Sequence, residues 1–320
     1  MNILEELRER GLIHNITDEK ALGEQLKENT SLYCGFDPTS DSLHVGSLLP
    51  LITLMRFEKF GHKPIALIGG ATGMIGDPSG KNEERNMLSD KEIVNNSNSI
   101  SKQISSIVGD NFSVKNNISW FNEITIIDFM RDFGKFFSVN AMIRKDSVRS
   151  RIEREGEGIS FTEFSYMLFQ SVDFLTLFKK ENCRLQIGGS DQWGNLTSGI
   201  DLINRISDKK SAHGLTFPLL LKSDGGKFGK SEKGNVWLSS EKTSIFDFFQ
   251  FWLNVSDEDV LEMMKKLTFL TLDEIEDIRV FDQNSGKKPV AQRILAQEMT
   301  RIVHGEEKMN SASRISDALF

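Results

Sequence analysis

Two short, uninterrupted apolar runs constrain the fold of this chain more than any other feature of its sequence. They occupy residues 32–36 and 64–70, and glycines end the second of them. Runs without polar alternation are typical of parallel strands that are buried on both faces of a sheet. Residues 48–60 between them have helical spacing and the length of a right-handed crossover. The sequence therefore predicts a βαβ unit in a doubly wound parallel sheet, where ligands bind at the carboxyl ends of the strands.

The turn after the first run, residues 37–48, has the features of a phosphate-binding corner. Backbone N–H groups at the start of a helix, together with the helix dipole, attract anions. Gly46 would let a nucleotide lie close to the backbone, and His44 can donate a hydrogen bond to a phosphate oxygen. A plain turn between strand and helix with a capping serine fits this stretch equally well.

A glycine-rich loop after the second run ends in Gly-Lys but does not match a Walker A loop. Ile75 stands where that motif has its first glycine, and Asn82 replaces its serine or threonine. The loop carries Asp77 and Lys81, and Arg85 follows it. A carboxylate and two cations can bind an amine and a polyphosphate, and an ordinary solvated loop is the alternative.

Residues 160–180 predict a long buried helix that carries three polar side chains on one face. The segment opens with the capping-box sequence Ser-Phe-Thr-Glu and is apolar on nearly every side. Tyr166, Gln170 and Asp173 stand at i, i+4 and i+7, so they share a face. Buried polar groups cost stability unless they have partners. A polar ligand is the favoured partner, and a satisfied internal network is the alternative.

Tyrosine is rare in this sequence. The chain has 23 Phe but only two Tyr, with Tyr33 in the first apolar run and Tyr166 on the polar face of the predicted helix. Because an aromatic ring without a hydroxyl suffices elsewhere, we expect these two hydroxyls to form specific hydrogen bonds.

Two later stretches complete a candidate nucleotide site. Residues 183–187 predict a strand, and the glycine-rich sequence after it predicts a second strand-to-helix corner. Residues 223–232 form a glycine-rich loop that contains Lys227, Lys230 and Ser231. Flexible cationic loops can close over a polyphosphate and stabilise charge in the transition state. A hairpin tip with surface lysines is the alternative.

The remaining segments indicate how the chain is organised. Residues 126–143 form an apolar helical stretch that predicts either a dimer interface or core packing. Beyond residue 236 glycines thin out and amphipathic helical segments follow one another, which predicts an all-helical second domain. A run of cations predicts either a solvated helix face or a patch that contacts phosphates, and it consists of Arg144, Lys145, Arg149, Arg151 and Arg154.

Composition limits the class of protein and its partners. The net charge of −7 argues against indiscriminate coating of nucleic acid, without excluding a local basic face. Cys34 and Cys183 are far apart and fit a reducing cytoplasm better than a disulfide framework. The sequence has no run of membrane-spanning length and no apolar core of a signal peptide, so we expect a cytoplasmic soluble protein.

Several of these motifs, taken in order, resemble those of one family. His44-Val45-Gly46-Ser47 resembles the HIGH element of class I aminoacyl-tRNA synthetases, and residues 227–231 resemble their KMSKS loop. With Tyr33, the Tyr-x3-Gln-x2-Asp pattern of the buried helix and the Gly-Gly-Ser-Asp-Gln corner, the match is to bacterial-type tyrosyl-tRNA synthetases. The resemblance runs from about residue 30 to the last residue.

The resemblance implies an α/β fold with a Rossmann-type doubly wound parallel sheet. It places the catalytic domain at residues 1–235, with a helical connective insertion at 118–160 that forms a homodimer interface. A small all-helical domain follows at residues 236–320. Members of the family usually also carry a carboxyl-terminal RNA-binding domain of S4 type, which this chain is expected to lack.

The resemblance also implies roles for individual residues. The residues implied in tyrosine binding are Tyr33 and Asp173 at the phenol, Asp77, Tyr166 and Gln170 at the α-ammonium, and Gln192 near the carboxylate. The residues implied in ATP binding are Cys34, Asp37, Thr39, His44, Gly46, Ser47, Gly189, Asp191 and Lys230. The residues implied in catalysis at the phosphates are His44, Lys81, Arg85, Lys227, Lys230 and Ser231.

The implied reaction needs no protein nucleophile and no metal ligands from the protein. The tyrosine carboxylate attacks the α-phosphate of ATP, whose phosphates carry Mg²⁺, and tyrosyl-adenylate then acylates the terminal ribose of tRNA(Tyr). This chain departs from the family at Ser47, where the second His of HIGH is expected.

Two other functions are weighed against this one. A tryptophanyl-tRNA synthetase shares the architecture, but an indole would leave Asp173 and Tyr33 without a phenol to bind. An RNA-binding module that has lost catalysis conflicts with the intact His44, Asp77 and Lys230.

Overall fold

A six-stranded sheet lies at the centre of the computed structural model. The model describes residues 2–79, 88–109, 112–153, 158–207, 211–221, 223, 225–226, 228–231, 234–284 and 290–319. The strands of the central sheet are β1 (Asn15–Ile16), β2 (Ser31–Phe36), β3 (Lys63–Ile68), β4 (Ser113–Asn116), β5 (Cys183–Gly189) and β6 (His213–Phe217). A separate two-stranded sheet pairs β7 (Lys230–Ser231) with β8 (Gly234–Asn235).

The strand order places a ligand crevice at the middle of the central sheet. The order is β1-β6-β5-β2-β3-β4, and β2 runs parallel to both of its neighbours. β3 and β4 follow β2 on one side of the sheet, and β5 and β6 are added on the other side. The strand order therefore reverses between β2 and β5, and doubly wound sheets bind ligands at such a topological switch point. β1 covers one edge and runs antiparallel to β6.

Helices connect the strands and cover both faces of the sheet, which confirms the predicted α/β fold. Up to β6 they are α1 (Ile3–Glu9), α2 (Glu19–Gln25), α3 (Leu48–Lys59), α4 (Thr72–Ile75), α5 (Asp90–Val108), α6 (Ile118–Phe121), α7 (Ile126–Asp132), α8 (Val139–Ile143), α9 (Asp146–Ile152), α10 (Phe161–Glu181) and α11 (Trp193–Ser207). After β8 they are α12 (Ile245–Leu253), α13 (Asp257–Leu267), α14 (Leu272–Asn284), α15 (Ala291–His304) and α16 (Glu306–Leu319). Within the described residues, no helix is both long and apolar enough to cross a bilayer.

The predicted βαβ unit is confirmed as β2, α3 and β3. All residues of β3 after Lys63 are buried, as expected for a strand with a neighbour on each side and cover on each face. α3 is also apolar over most of its surface, and it buries Leu48, Leu51 and Phe57. It has this character because it packs against the sheet on one side and against α13 on another.

The apolar stretch 126–143 is not one continuous helix. It forms α7, a 3-10 turn over Gly134–Phe136 and then α8. Gly134 weakens a helix because it leaves the backbone more freedom to lose on folding. The break lets one side of the stretch turn inward, so that Phe129 and Met142 are buried while Ile126 and Val139 stay exposed.

Buried arginines fasten the end of α13 to the rest of the fold. Arg56 of α3 pairs with Glu6 of α1 and donates to the carbonyl of Thr268, and Arg10 donates to the carbonyl of Lys265 at 3.0 Å. Burial lowers the pKa of Arg56 to about 9, and the nearby Arg10 acts in the same direction. The last carbonyls of a helix lack partners within the helix, so these cations satisfy acceptors that would otherwise be unpaired.

Candidate active site

A cleft of about 280 Å³ opens where β2 and β5 end side by side. Helix α10, the start of α3, the segment around α4 and the turn before α11 complete its walls. The residues that line it are Tyr33, Cys34, Gly35, Asp37, Gly46, Pro50, Leu67, Gly69, Thr72, Asp77, Tyr166, Gln170, Asp173, Gln186, Ile187, Gly188, Gly189, Gln192, Phe217 and Leu219. The cleft thus combines several carboxylates with glycines from both of the predicted strand-to-helix corners.

Asp173 forms the acidic end of the cleft. Trp120 Nε1 donates to its Oδ1 at 2.9 Å, and Asn117 Nδ2 donates to its Oδ2 at 3.0 Å. Burial raises the pKa of Asp173 to about 8, and these two hydrogen bonds oppose that rise. A carboxyl oxygen can accept more than one hydrogen bond, so Asp173 can still accept a hydrogen bond from a ligand.

Tyr33 and Gln186 bring two unsatisfied polar atoms to the same part of the cleft. They are paired in register on β2 and β5 and are only 1% and 3% exposed. Neither Tyr33 Oη nor Gln186 Oε1 has a hydrogen-bond partner among the residues that the structure describes. Burial raises the pKa of Tyr33 well above its ordinary value, and the carboxylate of Asp173 raises it further, so the phenol stays neutral. Buried polar atoms normally have partners, and these two therefore point to a polar ligand.

Asp37 is the centre of a hydrogen-bonded group at the start of the turn over residues 37–48, which carries the HIGH-like element (the signature corner). The Tyr166 hydroxyl donates to its Oδ2 at 2.9 Å, and the Thr72 hydroxyl donates to its Oδ1 at 2.9 Å. Asn117 Nδ2 donates to Thr72 Oγ1 at 3.1 Å and so links this group to Asp173. The Tyr166 hydroxyl, expected at a ligand ammonium, is thus held by a protein carboxylate.

Asp77 is held by Gln192 of the corner after β5 and by the backbone of its own loop. Gln192 Nε2 donates to its Oδ2 at 2.6 Å, and the backbone N–H of Ser79 donates to its Oδ1 at 2.9 Å. Asn195 is buried beside them and donates to Gln192 Oε1 at 3.2 Å and to Ser79 Oγ at 3.3 Å. Two of the predicted ligand contacts, Asp77 and Gln192, therefore orient each other.

His44 is positioned to donate from a defined ring atom. Its Nδ1 accepts a hydrogen bond from the backbone N–H of Gly46 at 3.0 Å, which places the proton of a neutral imidazole on Nε2. Its ring meets Trp237 edge to face at a centroid distance of 6.2 Å, and the two backbones form a β-bridge. Trp237 follows the glycine-rich loop at residues 223–232 (the lysine loop), so the segment after this loop packs on the signature corner.

The lysine loop lies against the signature corner through Gly229. This glycine has a φ of +96°, and a Cβ built on it would lie 2.6 Å from Val45 Cγ2 and 3.3 Å from the backbone N of Gly46. The neighbouring Phe228 is buried and packs on Trp252 of α12 at a centroid distance of 5.5 Å. The buried ring of Phe228 and the close contact of Gly229 with Val45 thus hold the lysine loop at the signature corner.

For the activity that the resemblance implies, we expect Gly229→Ala to slow adenylate formation about tenfold and to leave tyrosine affinity unchanged. The substitution strains a left-handed backbone by about 1–2 kcal/mol and pushes the loop off Val45. Gly225→Ala is the matched control, because Gly225 has a φ of +80° but no atom within 4 Å of its Cβ position. Single-turnover kinetics at several ATP concentrations measure the effect, and equal rates for the two variants would contradict it.

The structure does not bring every predicted residue into the cleft. Thr39, Ser47 and Asp191 do not line it, and Thr39 is exposed on the surface. Lys81, Arg85 and Lys227 lie outside the described residues, and Lys230 and Ser231 are described only as the backbone of β7. The remaining residues predicted to bind tyrosine or ATP line the cleft, except His44, which lies beside it at the signature corner. Their individual roles stay predictions.

The sequence interpretation missed the residues that support the predicted ones. Asn117 and Trp120 hold Asp173, Thr72 holds Asp37, and Gln186 adds an unsatisfied acceptor. For Gln186 a signal was present, because a glutamine interrupts an apolar strand that leads into a glycine-rich corner.

The cationic run divides between exposed and buried positions. Arg144 and Arg149 are exposed, but Arg151 is 7% exposed and pairs with the buried Glu163 of α10 at 2.9 Å. Arg154 lies outside the described residues. Arg151 therefore ties α9 to α10 and does not belong to a surface that contacts phosphates.

Comparison with known proteins identifies one family. Residues 25–320 match the family model described as tRNA synthetases class I (W and Y). A tyrosine–tRNA ligase of Neisseria meningitidis serogroup C is 54% identical over 325 residues, which cover 100% of this chain and 75% of the relative.

Solved structures of similar proteins agree with the fold. A C-terminally truncated mitochondrial tyrosyl-tRNA synthetase of Aspergillus nidulans superposes with a TM-score of 0.88 at 30% identity, over 100% of this chain and 94% of that one. A tryptophanyl-tRNA synthetase of Encephalitozoon cuniculi superposes with a TM-score of 0.69 at 13% identity, over 97% of this chain and 87% of that one. The second similarity shows a shared fold and carries no information about the amino acid.

Proposed function

Because this chain belongs to the class I tRNA synthetases of the tryptophan and tyrosine group, we propose that its cleft selects tyrosine through Asp173 and Tyr33. The chain activates tyrosine with ATP and transfers it to tRNA, as the function of relatives more than 50% identical over its full length indicates. The observation that supports the selection best is the buried carboxylate beside an unsatisfied phenol. A substrate hydroxyl can donate to the first and accept from the second.

We propose that the chain activates tyrosine by positioning the amino acid and ATP and by stabilising the charge on the phosphate. Asp77, Gln170 and Tyr166 line the cleft, and Tyr166 also contacts Asp37 of the signature corner. We place the α-ammonium of a tyrosine bound at Asp173 beside these three residues. This arrangement would direct the substrate carboxylate toward the α-phosphate of ATP at the signature corner. The Nε2–H of His44 would then stabilise the phosphate charge, as preorganised donors do in transition states.

We propose that Mg²⁺ binds to the ATP phosphates. The carboxylates that line the cleft, Asp37, Asp77 and Asp173, each already accept protein hydrogen bonds. Mg²⁺ commonly keeps several waters and binds substrate phosphates with few protein ligands. We therefore assign the ion mainly to the phosphates and water, where it would reduce their charge.

Charging assays test the function directly. The chain is mixed with labelled tyrosine, ATP, Mg²⁺ and tRNA, and the acid-precipitable label is followed before and after mild alkali. We expect an alkali-labile ester to form on the tRNA, and only when ATP is present. No acid-precipitable label with ATP present, together with no tyrosyl-adenylate in the absence of tRNA, would support an RNA-binding module over an enzyme.

Exposed cations before α10 are proposed to contact the phosphates of tRNA. We expect replacing Arg144 and Arg149 by Ala to reduce the slope of log affinity for tRNA against log salt concentration by about two, because each cation displaces about one counterion from the nucleic acid.

Arg151→Ala is expected to act differently and to lower the free energy of unfolding by about 3–5 kcal/mol, because it leaves Glu163 buried without its cation. Filter binding at graded salt and thermal unfolding measure the two effects. A stable Arg151→Ala variant with a reduced salt slope would reverse the assignment.

A homodimer is proposed at the apolar surface of α7 and α8. Ile126 and Ile127 are 70% and 68% exposed, and Val139 and Ile143 add to the same segment. We expect replacing Ile126 and Ile127 by Asp to halve the mass in sedimentation, because charges in the centre of an apolar interface are not compensated. Val280→Asp, at an exposed apolar position of α14, is the control and should leave the mass unchanged. A monomeric parent chain would contradict this proposal.

A further inference from the structure

A second cavity, of about 270 Å³, lies at the end of the edge strand β4. Its walls come from β4, from α6 and from the last two turns of α10. None of the residues that line it also lines the cleft described above. It is therefore a separate opening, although both cavities lie toward the carboxyl ends of the parallel strands.

The cavity has an apolar floor and a charged rim. Trp120 and Leu177 are 7% and 1% exposed and form the apolar part. On the rim, Lys115 is paired with Glu181 at 2.8 Å, while Lys180 has no ion-pair partner within the described part of the chain. Since one of the two cations is neutralised, the rim carries a net positive charge. An apolar floor and one available ammonium fit a small aromatic anion.

Trp120 connects this cavity to the cleft. Its ring lines the cavity, and its Nε1 donates to Asp173 Oδ1 at 2.9 Å. Leu177 on the cavity floor lies one helical turn beyond Asp173 on α10. A molecule packed on the indole would hold the ring in the orientation that donates to Asp173.

We propose that this cavity is a regulatory site for a small aromatic carboxylate, and that its occupation tightens tyrosine binding. The aromatic ring packs on Trp120 and Leu177, and the carboxylate pairs with Lys180. Tyrosine binding improves because the packed molecule keeps the indole Nε1 on Asp173 Oδ1 and so fixes the carboxyl group that accepts the substrate phenol. The second half of the proposal rests on the assignment of Asp173 to the substrate phenol.

Direct binding of 2-naphthoate tests the site without reference to catalysis. Equilibrium dialysis is expected to show one saturable site, and 2-naphthalenemethanol, which lacks the charge, should bind about tenfold more weakly or less. Lys180→Glu should reduce naphthoate affinity by at least about tenfold. Lys179→Glu is the matched control, because Lys179 is the exposed neighbour on the same helix and does not line the cavity, and it should have little effect. No binding, or an equal loss in both variants, would overturn the site.

A tyrosine titration tests the coupling. Saturating naphthoate should lower the tyrosine Kd by about fivefold to a plateau, and by linkage tyrosine should tighten naphthoate binding by the same factor. Competition without a plateau would place the probe in the cleft and overturn the proposal. An unchanged or raised tyrosine Kd with naphthoate bound would overturn the coupling. If the chain bound naphthoate as expected but did not bind tyrosine at all, the assignment of the cleft would be at fault instead.

Discussion

Replacing Asp173 by asparagine is expected to reduce kcat/KM for tyrosine in adenylate formation by about 10³-fold, and to affect phenylalanine far less. The two Asp173 oxygens accept hydrogen bonds from Trp120 and Asn117. An asparagine offers one oxygen and an NH₂ group, so one of those buried donors would face another donor. The substrate phenol would also lose a carboxyl oxygen that can accept its hydrogen bond, which a benzene ring does not need.

Asp173→Asn should lower the preference for tyrosine over phenylalanine, and not only the stability of the fold. Asp277→Asn is the matched control, because it makes the same chemical change on the exposed surface of α14 and should leave kcat/KM for both amino acids unchanged.

Tyr33→Phe is expected to have a smaller effect than Asp173→Asn. The Tyr33 hydroxyl has no protein partner among the described residues, so its removal leaves no protein group without a hydrogen bond. We expect about a tenfold loss with tyrosine and a narrower preference over phenylalanine. Equal losses for both amino acids in either cleft variant would contradict the assignment of the phenol site.

Gly69→Ala is expected to reduce kcat/KM for tyrosine by about 10²-fold and to destabilise the fold by about 1–3 kcal/mol. Gly69 follows β3 directly, and a Cβ built on it would overlap Asp37 Oδ1 and Thr72 Oγ1. The methyl group would break the hydrogen bond between those side chains. It would also shift the carboxylate that holds the hydroxyl of Tyr166.

Thermal unfolding and single-turnover kinetics measure the two consequences of Gly69→Ala separately. Gly23→Ala in α2 is the control, because its Cβ would meet only Leu4 Cδ1 at an ordinary 3.8 Å. Alanine favours a helix more than glycine does, so this control should gain about 0.5–1 kcal/mol and keep full activity. A Gly69→Ala variant with parental stability and rate would show that Asp37 and Thr72 can move without consequence.

The sequence predicted those parts of the site that follow from local periodicity. Tyr166, Gln170 and Asp173 share a face because a helix repeats every 3.6 residues, and all three line the cleft. The apolar runs predicted β2 and β3 because strands buried on both faces need no polar alternation. The two strand-to-helix corners meet in the fold because β2 and β5 are neighbours.

Contacts between distant segments could not be predicted in this way. Asn117 and Trp120 reach Asp173 across more than 50 residues of sequence, and no local pattern marks a residue as the partner of a buried carboxylate. Arg151 lies only two residues from the exposed Arg149 on α9, and it is buried because it pairs with Glu163 of α10. The break at Gly134 also depends on which side of the stretch finds a core to pack against.

Exchange of labelled pyrophosphate into ATP, run with tyrosine, tryptophan and phenylalanine in turn, tests the central claim most directly. The exchange requires an amino-acid adenylate and needs neither tRNA nor the surfaces that bind it. We predict brisk exchange with tyrosine, and rates near background with tryptophan and phenylalanine, because only tyrosine carries the phenol that Asp173 and Tyr33 are placed to bind. Exchange that is supported as well by tryptophan or phenylalanine as by tyrosine would contradict the account.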